Sequence, residues 1–425
     1  MMSRLKLLLG FFLLGGALGL FVSIAQAANI TVNTANPNIN ADGLCSLIEA
    51  IDNANNDAQI HADCPTGNGA DVVILQASEV YTLTQVNNNA SGANGLPILR
   101  DSLTIEGNNA TIARSQAAGV PDFRILRITS TAQITINQVK MRYGHYDSIW
   151  GGDETAPGIR NSGGAVYLNQ VVVTENYTEN DNAGGVWNEP GGSMTLVDSI
   201  VSSNKAVSGG GVLNEGELYL IDTIIQYNRT YDADGAGLLN NGGTATLTNS
   251  QIRNNYTNSN PDSGGGGISN SGVITLFNTS IARNSGGFGN SGIARIINSD
   301  ISYNGSQEVG GILNGSSGVI ELVGSTVSNN STYEGGYAGG GIFNWGVIHS
   351  TNSTISQNSA DFSGGGIFNR GTITLTHSTV VSNKVTSSLN YVKHAGISNS
   401  GILVAKSSII ARNSDYIGLS NCSGI

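Results

Sequence analysis

The sequence predicts an all-β protein, a single-stranded parallel β-helix (solenoid) with three short strands per coil and a short capping helix near the N-terminus. Three observations predict this class. Glycine accounts for 58 of 425 residues without the strict triplet period of collagen. The pattern GGGIFNRGTITLTHSTVVSN at 364–383 recurs, with variations, from about residue 184 onward. Each copy also keeps a β-branched residue at one position, which favours strands over helices.

Each copy of the pattern closes on an asparagine, and these closing asparagines lie 20 to 30 residues apart. They are Asn204, Asn228, Asn255, Asn284, Asn304, Asn330, Asn358, Asn383 and Asn413. Three positions before each lies a valine or isoleucine: Val201, Ile225, Ile252, Ile281, Ile301, Val327, Ile355, Val380 and Ile410. Three short strands and their corners need about 20 to 25 residues, so each repeat is one coil.

A second asparagine follows the glycines of each copy. This column comprises Asn188, Asn214, Asn240, Asn270, Asn290, Asn314, Asn344, Asn369 and Asn399. It lies 14 to 16 residues before the next closing asparagine, whereas 6 to 16 residues separate a closing asparagine from the next member of the second column. Each repeat therefore has a fixed arm and a variable loop.

Stacked coils place equivalent residues over one another. The β-branched column then predicts a buried aliphatic ladder, and the serines and threonines two positions before it predict a hydroxyl ladder. The asparagines predict amide ladders in which each side chain bonds the next. Ordinary turn preference is the alternative explanation of the asparagines.

The first residues are typical of a targeting segment. Arg4 and Lys6 precede an apolar run at 7–24, and Ala25-Gln26-Ala27 has the small-x-small pattern of a cleavage site. We expect a signal peptide over 1–27, a mature chain that starts near Ala28, and a secreted or cell-surface location. An uncleaved membrane anchor is the alternative. No later segment is long and apolar enough to span a membrane, so we expect no transmembrane segment in the mature chain.

Composition excludes several partners and cofactors. The net charge of -11 leaves no basic face for nucleic acid. Cys45 and Cys64 are close enough along the chain for a local disulfide, which an oxidising compartment permits, and Cys422 is left over. The three cysteines and five histidines show no spacing typical of a metal site, so we expect no metal and no cofactor.

A helical apolar stripe lies near the N-terminus. Leu44, Leu47, Ile48 and Ile51 follow the i, i+3, i+4, i+7 spacing of an amphipathic helix. Since the first coil of a solenoid exposes its core, such a helix, held by the Cys45–Cys64 disulfide, is expected to cap it. We therefore divide the chain into the signal peptide, an N-terminal cap with the first coils at 28–115, and β-helix repeats at 116–425.

The repeats resemble a known family. GGGIFN followed by TLTHSTVVSN, and GGGIFN with STISQN at 339–358, are similar to the glycine-rich repeats of right-handed parallel β-helix surface proteins, including polymorphic outer-membrane protein repeats. The resemblance covers roughly residues 160–415. It implies a right-handed solenoid and says little about activity.

The N-terminal region resembles the CSLREA domain, which commonly opens secreted bacterial β-helix proteins. The similarity rests on GLCSLIEAI at 43–51, on Asn53-Ala54-Asn55 and on Cys64. The arginine of that family is Ile48 in this chain, so any role of the arginine is lost.

At the C-terminal end of the solenoid, no capping segment follows the last closing asparagine. We expect either a C-terminal truncation or a final coil covered by a partner or a second copy.

Candidate ligand-binding residues fall in two places. The longest non-repetitive insertion combines aromatic and acidic residues that could grip a sugar or a cation: His145, Asp147, Trp150, Asp153 and Glu154. The variable loops bring acids and an aromatic residue onto neighbouring coils: Tyr231, Asp232, Asp234 and Asp262. Such acids could bind Ca²⁺. The alternative for both groups is a solvated loop.

Two functional classes remain. The first is a non-catalytic structural, adhesive or binding scaffold, with an extracellular carbohydrate or a surface protein as partner. The second is a polysaccharide lyase or glycoside hydrolase of the pectate-lyase-like β-helix type, which would need paired acids or a Ca²⁺ cluster with a basic residue. The fixed arms carry almost no acids in register, so no catalytic residue is assigned.

Overall fold

The structure is a computed structural model that describes residues 27–129, 132–146, 156–231, 235–258, 265–333, 339–387 and 394–423. Within these ranges the chain forms a parallel β-solenoid of about 11 turns with one helix. Equivalent strands of successive coils pair in parallel and in register, as in Val212↔Leu238 and Leu218↔Ala245. This pairing confirms the predicted fold class.

Equivalent strands of successive coils stack into four ladders, which we call C, A, B and D in the order in which a coil passes through them. Ladder C comprises Leu126–Thr129, Ile159–Ser162, Val186–Asn188, Val212–Asn214, Leu238–Asn240, Ile268–Asn270, Phe288–Asn290, Ile312–Asn314, Ile342–Asn344, Ile367–Asn369, Ile397–Asn399 and Cys422–Ser423. Ladder A comprises Asn29–Thr31, Asp71–Ile74, Ala165–Asn169, Ser193–Val197, Glu217–Ile221, Thr244–Thr248, Val273–Phe277, Ile293–Ile297, Val319–Val323, Val347–Thr351, Thr372–Thr376 and Ile402–Lys406.

Ladders B and D follow ladder A along each coil. Ladder B comprises Val80–Leu83, Val172–Thr174, Ile200–Ser202, Ile224–Gln226, Gln251–Arg253, Ser280–Ala282, Asp300–Ser302, Thr326–Ser328, Thr354–Ser356, Thr379–Val381 and Ile409–Ala411. The long strands Leu103–Arg114 and Gln133–Arg142 run through both A and B. Ladder D consists of two separate sheets. The first comprises Lys205–Ala206, Arg229–Thr230 and Tyr256–Thr257, and the second comprises Gly305–Ser306, Ser331–Thr332, Ser359–Ala360 and Lys384–Val385.

Ladder D adds a fourth, two-residue strand to the three that the repeat predicts. It arises because the residue after each closing asparagine still bonds its neighbours in the stack before the variable loops diverge. Arg229 N, for example, donates to Asn204 O at 2.9 Å, and Asn258 N donates to Thr230 O at 3.0 Å.

The closing asparagines form a continuous buried amide ladder. Asn204 donates to Asn228 Oδ1 from both its backbone N and its Nδ2, each at 3.0 Å. The same Nδ2 donates to Val173 O at 3.0 Å on the preceding coil. This arrangement repeats from Asn176 to Asn413, which confirms the predicted amide ladder.

The second asparagine column and the hydroxyl column stack in the same way. Asn188 Nδ2 donates to Asn214 Oδ1 at 2.8 Å, and the series continues from Asn161 to Asn399. Ser325 Oγ accepts from Ser299 N at 3.1 Å and donates to Ile296 O at 3.1 Å. The buried polar groups of the fixed arm therefore find partners on neighbouring coils.

The main hydrophobic core is one continuous cluster of apolar side chains that point into the coils along the solenoid. In the β-branched column Val201 to Val380 are fully buried, while Ile410 on the last coil is partly buried. From Ala165–Asn169 onward, a left-handed position directly follows each strand of ladder A; Asp198, Asp222 and Asn249, for example, have φ of 48°, 49° and 51°. The aligned acids Asp198 and Asp222 therefore belong to a turn and do not form an inward-facing acidic pair.

The helix α1, Leu47–Asn55, closes the core at the N-terminal end. Ser46 and Glu49 form a capping box. The helix packs on the first two strands of ladder A, and its Leu47 and Ile51 join the main core. Leu44 lies before the helix and is exposed, so the predicted stripe begins at Leu47. Cys45 and Cys64 form the predicted disulfide, with their Cα atoms 4.7 Å apart.

Residues after the last closing asparagine turn back on the final coil. Asn413 N donates to Asn421 Oδ1 at 3.0 Å, so Asn421 continues the amide ladder by one step. The strand Cys422–Ser423 pairs with Ile397–Asn399. Leu403 and Ile410 of that coil remain only partly buried. In the part of the chain that the structure describes, no helix is long and apolar enough to cross a membrane.

Candidate functional site

A row of aromatic and basic side chains follows the ladder D corner of five successive coils. The residues pair in register as His145↔Tyr177, Tyr177↔Lys205, Lys205↔Arg229 and Arg229↔Tyr256. Partners in a parallel ladder point to the same side of the sheet. Since the following residues, such as Ala206 and Thr230, are fully buried, these five side chains point outward. We call them, together with Tyr231, the aromatic–cationic row.

The middle of the row is tightly connected. The His145 ring stacks on Tyr177 with centroids 5.1 Å apart and an interplanar angle of 4°. Lys205 Nζ lies 4.9 Å from the Tyr177 centroid and 4.0 Å from that of Tyr231. The Tyr231 hydroxyl donates to the Tyr177 hydroxyl at 3.0 Å, and Tyr177 donates to Glu179. The three rings and the ammonium thus form one preorganised cluster.

Both ends of the row carry further charged contacts. His145 Nδ1 lies 2.7 Å from Asp122 Oδ1, which also accepts from Arg114 Nη2 at 2.8 Å. At the other end the Arg229 guanidinium lies 5.5 Å from the Tyr256 centroid, and its Nε donates to Asn258 at 2.8 Å. Cation–π contacts therefore hold the cations over ring faces.

Two basic groups at the row have lowered pKa values. Burial lowers the pKa of Lys205, the like charge of Arg229 on the next coil lowers it further, and Glu179 opposes the change. Burial likewise lowers the pKa of Arg114, against the effect of Asp122. Lys205 and Arg229 thus lie on adjacent coils of a protein of net charge -11, with the carboxylates of Glu179 and Asp122 beside the row.

The structure brings together two of the residues that the sequence singled out. His145 stacks on Tyr177, and Tyr231 is hydrogen-bonded to the same tyrosine. The other seven candidates lie outside the described residues: Asp147, Trp150, Asp153, Glu154, Asp232, Asp234 and Asp262. Within the described ranges no group of three or more His, Cys, Asp or Glu side chains could hold a metal ion.

Sequence reasoning missed Tyr177 and Lys205, although a signal was present. Each directly follows a closing or equivalent asparagine, Asn176 or Asn204, and so do Arg229 and Tyr256. The column one position after the asparagines thus contains four of the six residues of the row, without His145 and Tyr231. From Ser285 onward the same column holds small or polar residues: Ser285, Gly305, Ser331, Ser359, Lys384 and Ser414.

A second surface feature lies on the outer face of ladder C. A groove of about 300 Å³, which we call the Trp345 groove, opens beside Leu313 and the half-exposed Trp345. The Phe343 ring packs edge to face against Trp345, with ring centroids 4.5 Å apart, and stacks on Phe368, with centroids 5.0 Å apart. The groove opens where the outward position carries Ser269 and Gly289, whereas the two flanking coils carry Leu239 and Leu313 there.

Comparisons with known proteins yield structural neighbours only. No family model matches the chain, and no curated protein matches it. Among solved structures, the A-module of the mannuronan C-5 epimerase AlgE6 of Azotobacter vinelandii is 14% identical, with a TM-score of 0.44 and coverage of 90% of this chain and 98% of its own. The pectate lyase Pel9A is 15% identical, with a TM-score of 0.32 and coverage of 95% and 80%. At such values neither activity is transferred, and the fold assignment depends on the strand pairing of this chain.

Proposed function

We propose that this protein is an extracytoplasmic, non-catalytic β-helix scaffold that binds an acidic polysaccharide along the aromatic–cationic row. The observation that carries the proposal is the row itself: five outward side chains on consecutive coils, with cations held against rings. The charged groups suit a polyanion, and the rings suit the apolar faces of sugars.

The geometry of the row favours a polymer over a single sugar. Successive coils are about 4.8 Å apart, so the five positions extend over roughly 20 Å. A short ligand would contact only part of this length, whereas an extended chain can contact every coil. The site is also preorganised by contacts such as Tyr231–Tyr177, which reduces the entropy lost on binding.

An oxidising, extracytoplasmic location is part of the proposal. The Cys45–Cys64 disulfide supports it, because disulfides persist mainly outside the cytoplasm. The signal peptide predicted at 1–27 and the resemblances to the CSLREA domain and to polymorphic outer-membrane protein repeats point the same way. These three remain predictions from the sequence.

Immobilised polysaccharides test the proposal directly. The purified protein should bind polygalacturonate and alginate and should not bind neutral dextran. Lys205→Ala should weaken binding about tenfold, which corresponds to ~1.4 kcal/mol. The matched control is Lys384→Ala, at the equivalent ladder D position seven coils away along the stack, which should bind like the wild type.

The same incubations separate binding from cleavage. Polymer length, reducing ends and unsaturated products are measured with and without Ca²⁺. A scaffold leaves all three unchanged. Products that disappear on substitution of Asp232, Asp234 and Asp262 would instead establish the lyase or hydrolase, and binding that is equal in Lys205→Ala and wild type would exclude the row as the site.

A further inference from the structure

The N-terminal end of the solenoid contains a fully buried carboxylate. Asp71 is the first residue of the second strand of ladder A, and its exposed fraction is 0%. Burying an ionised carboxylate is costly unless hydrogen bonds and an opposite charge compensate it. The contacts around Asp71 therefore indicate which partner this position is built for.

Backbone groups supply the hydrogen bonds to this carboxylate. Ala28 N donates to Asp71 Oδ1 at 2.8 Å, and Asn68 N lies 3.0 Å from both carboxylate oxygens. A Cβ at Gly67 would lie 2.1 Å from Asn53 O and 2.8 Å from Asp71 Oδ2, so the loop can pass between them only as glycine. The cradle fits one carboxylate tightly.

The charged side chains that act on Asp71 are carboxylates, which do not compensate its negative charge. Burial raises the pKa of Asp71, and the carboxylates of Asp57 and Asp101 raise it further, against the hydrogen bonds from Ala28 and Asn68. Among the described residues no ion pair includes Asp71. With an amide at Ala28, the buried anion thus has neutral donors and negatively charged neighbours.

Ala28 is also the first residue of the predicted mature chain, directly after the signal peptide at 1–27. The cleavage pattern Ala25-Gln26-Ala27 places the new amino group on the very nitrogen that lies 2.8 Å from Asp71 Oδ1. The cleavage pattern and the buried carboxylate are independent observations, and both point to the nitrogen of Ala28. An N-terminal residue would convert a neutral donor into a cation without moving the backbone.

We infer that a leader peptidase cuts between Ala27 and Ala28 and that the new α-ammonium of Ala28 forms an ion pair with Asp71, which fastens the first strand onto the solenoid. In the cut, water is consumed, the Ala27–Ala28 C–N bond breaks, Ala27 leaves as a carboxylate, and the Ala28 nitrogen becomes protonated. The released strand, Asn29–Thr31, pairs with Asp71–Ile74, and Val72 N donates to Ala28 O at 2.8 Å. Charge and backbone bonds then hold the same residue, so the processed chain is more stable than the uncut one.

The first experiment locates the cut. The full-length protein is expressed with export, and its intact mass and N-terminal residue are determined. An N-terminus at Ala28 is expected. Any other mature N-terminus overturns the inference.

The second experiment measures the ion pair by a thermodynamic cycle. Four proteins are compared: chains that start at Ala28 or carry Ser-Gly before it, each with Asp71 or with Asp71→Asn. In the chain that starts at Ala28, the substitution should lower Tm by about 2 °C or more. In the extended chain the same substitution should leave Tm unchanged or raise it, because a buried anion without a cation is removed. Equal changes of Tm in both backgrounds contradict the ion pair.

Amine reactivity provides a readout that does not depend on the stability of the variants. An ion pair raises the pKa of an α-amine, and each unit of rise makes the reactive neutral amine about tenfold scarcer. Acetylation of the Ala28 amine in the folded wild type should therefore be about tenfold slower than after unfolding. Equal rates in the folded and unfolded protein overturn the inference even if Asp71→Asn fails to fold.

Discussion

Two adjacent columns of the solenoid follow opposite rules. From Asn176 to Asn413 the closing position is asparagine on every coil, whereas the next position changes from coil to coil, for example from Tyr177 to Lys205. The first column is buried, and the second points outward. A single step along the backbone therefore separates the most uniform position of the repeat from one of its most variable.

Hydrogen-bond satisfaction explains the uniform column. Each closing asparagine accepts from the preceding coil and donates to both neighbouring coils, so any replacement leaves unpaired groups on both sides. The outward column faces solvent and needs no particular partner. The comparison teaches that stacking constrains only the residues that contact both neighbouring coils, which leaves the outward column available for binding chemistry.

Ile281→Asp should produce the largest effect. The side chain is fully buried in the aliphatic column, so an aspartate there would be an unpaired buried charge costing about 3–5 kcal/mol of unfolding free energy. Denaturant unfolding measures the change. Ala282→Asp, on the next, half-buried position, is the control and should cost less than about 1 kcal/mol. Similar losses for both would mean that the inward column is not special.

Asn255→Ala tests the amide ladder and should rank second. It removes the acceptor for Asn228 and the donor to Ile225 O and Asn284, and we expect a loss of about 2–4 kcal/mol. Asn258→Ala, at an exposed asparagine three residues later, should change stability by less than about 0.5 kcal/mol. Thermal unfolding of the two variants decides whether the ladder or mere asparagine content stabilises the coil.

The third prediction compares Gly311→Ala with Gly315→Ala, whose effects on the free energy of unfolding should differ by less than in the two preceding comparisons. A Cβ at Gly311 would lie 2.3 Å from Gly341 O on the next coil, whereas at Gly315 the nearest atom is 3.4 Å away. We expect Gly311→Ala to cost about 1–3 kcal/mol and Gly315→Ala to be tolerated. Equal unfolding midpoints would show that the coils can separate locally without loss.

Lys205 should give the smallest effect, and it tests the outward column. Because burial and Arg229 lower its pKa, the Lys205 ammonium should titrate below the ordinary lysine value of about 10.4. Between the lowered pKa of Lys205 in the folded protein and its ordinary pKa in the unfolded chain, the unfolded chain binds more protons. The contribution of Lys205 to the free energy of unfolding therefore rises with pH in this range. NMR titration of methylated lysines measures the pKa, and Arg229→Gln should raise it. An unchanged value in Arg229→Gln would mean that successive coils of the row do not interact.

Much of the fold could be predicted because each coil contacts only its neighbours. Equivalent positions such as Val201 and Ile225 must then recur in sequence, and counting back from the closing asparagines identifies them. The helix α1 and the disulfide were also predictable from short-range spacing. Leu44 could not be placed, because its exposure depends on where the capping box starts the helix.

The candidate site was predictable only in part. His145 and Tyr231 were chosen for their residue types in two separate loops, and nothing in their spacing indicates that both contact Tyr177. Variable loops of different length lie between them, so their distance along the chain carries no register. The column after the asparagines would have supplied Tyr177 and Lys205, but not the contact of Tyr231 across two coils.

The sequence by itself determined the period of the coil, the inward columns and the amide ladders, because a residue in contact with its own copies above and below must be repeated. Only the tertiary structure decided which outward side chains meet, and that Asp71 contacts the nitrogen of Ala28 from 43 residues away. Those contacts depend on how loops of unequal length return the chain to the stack, and no recurrence in the sequence encodes them.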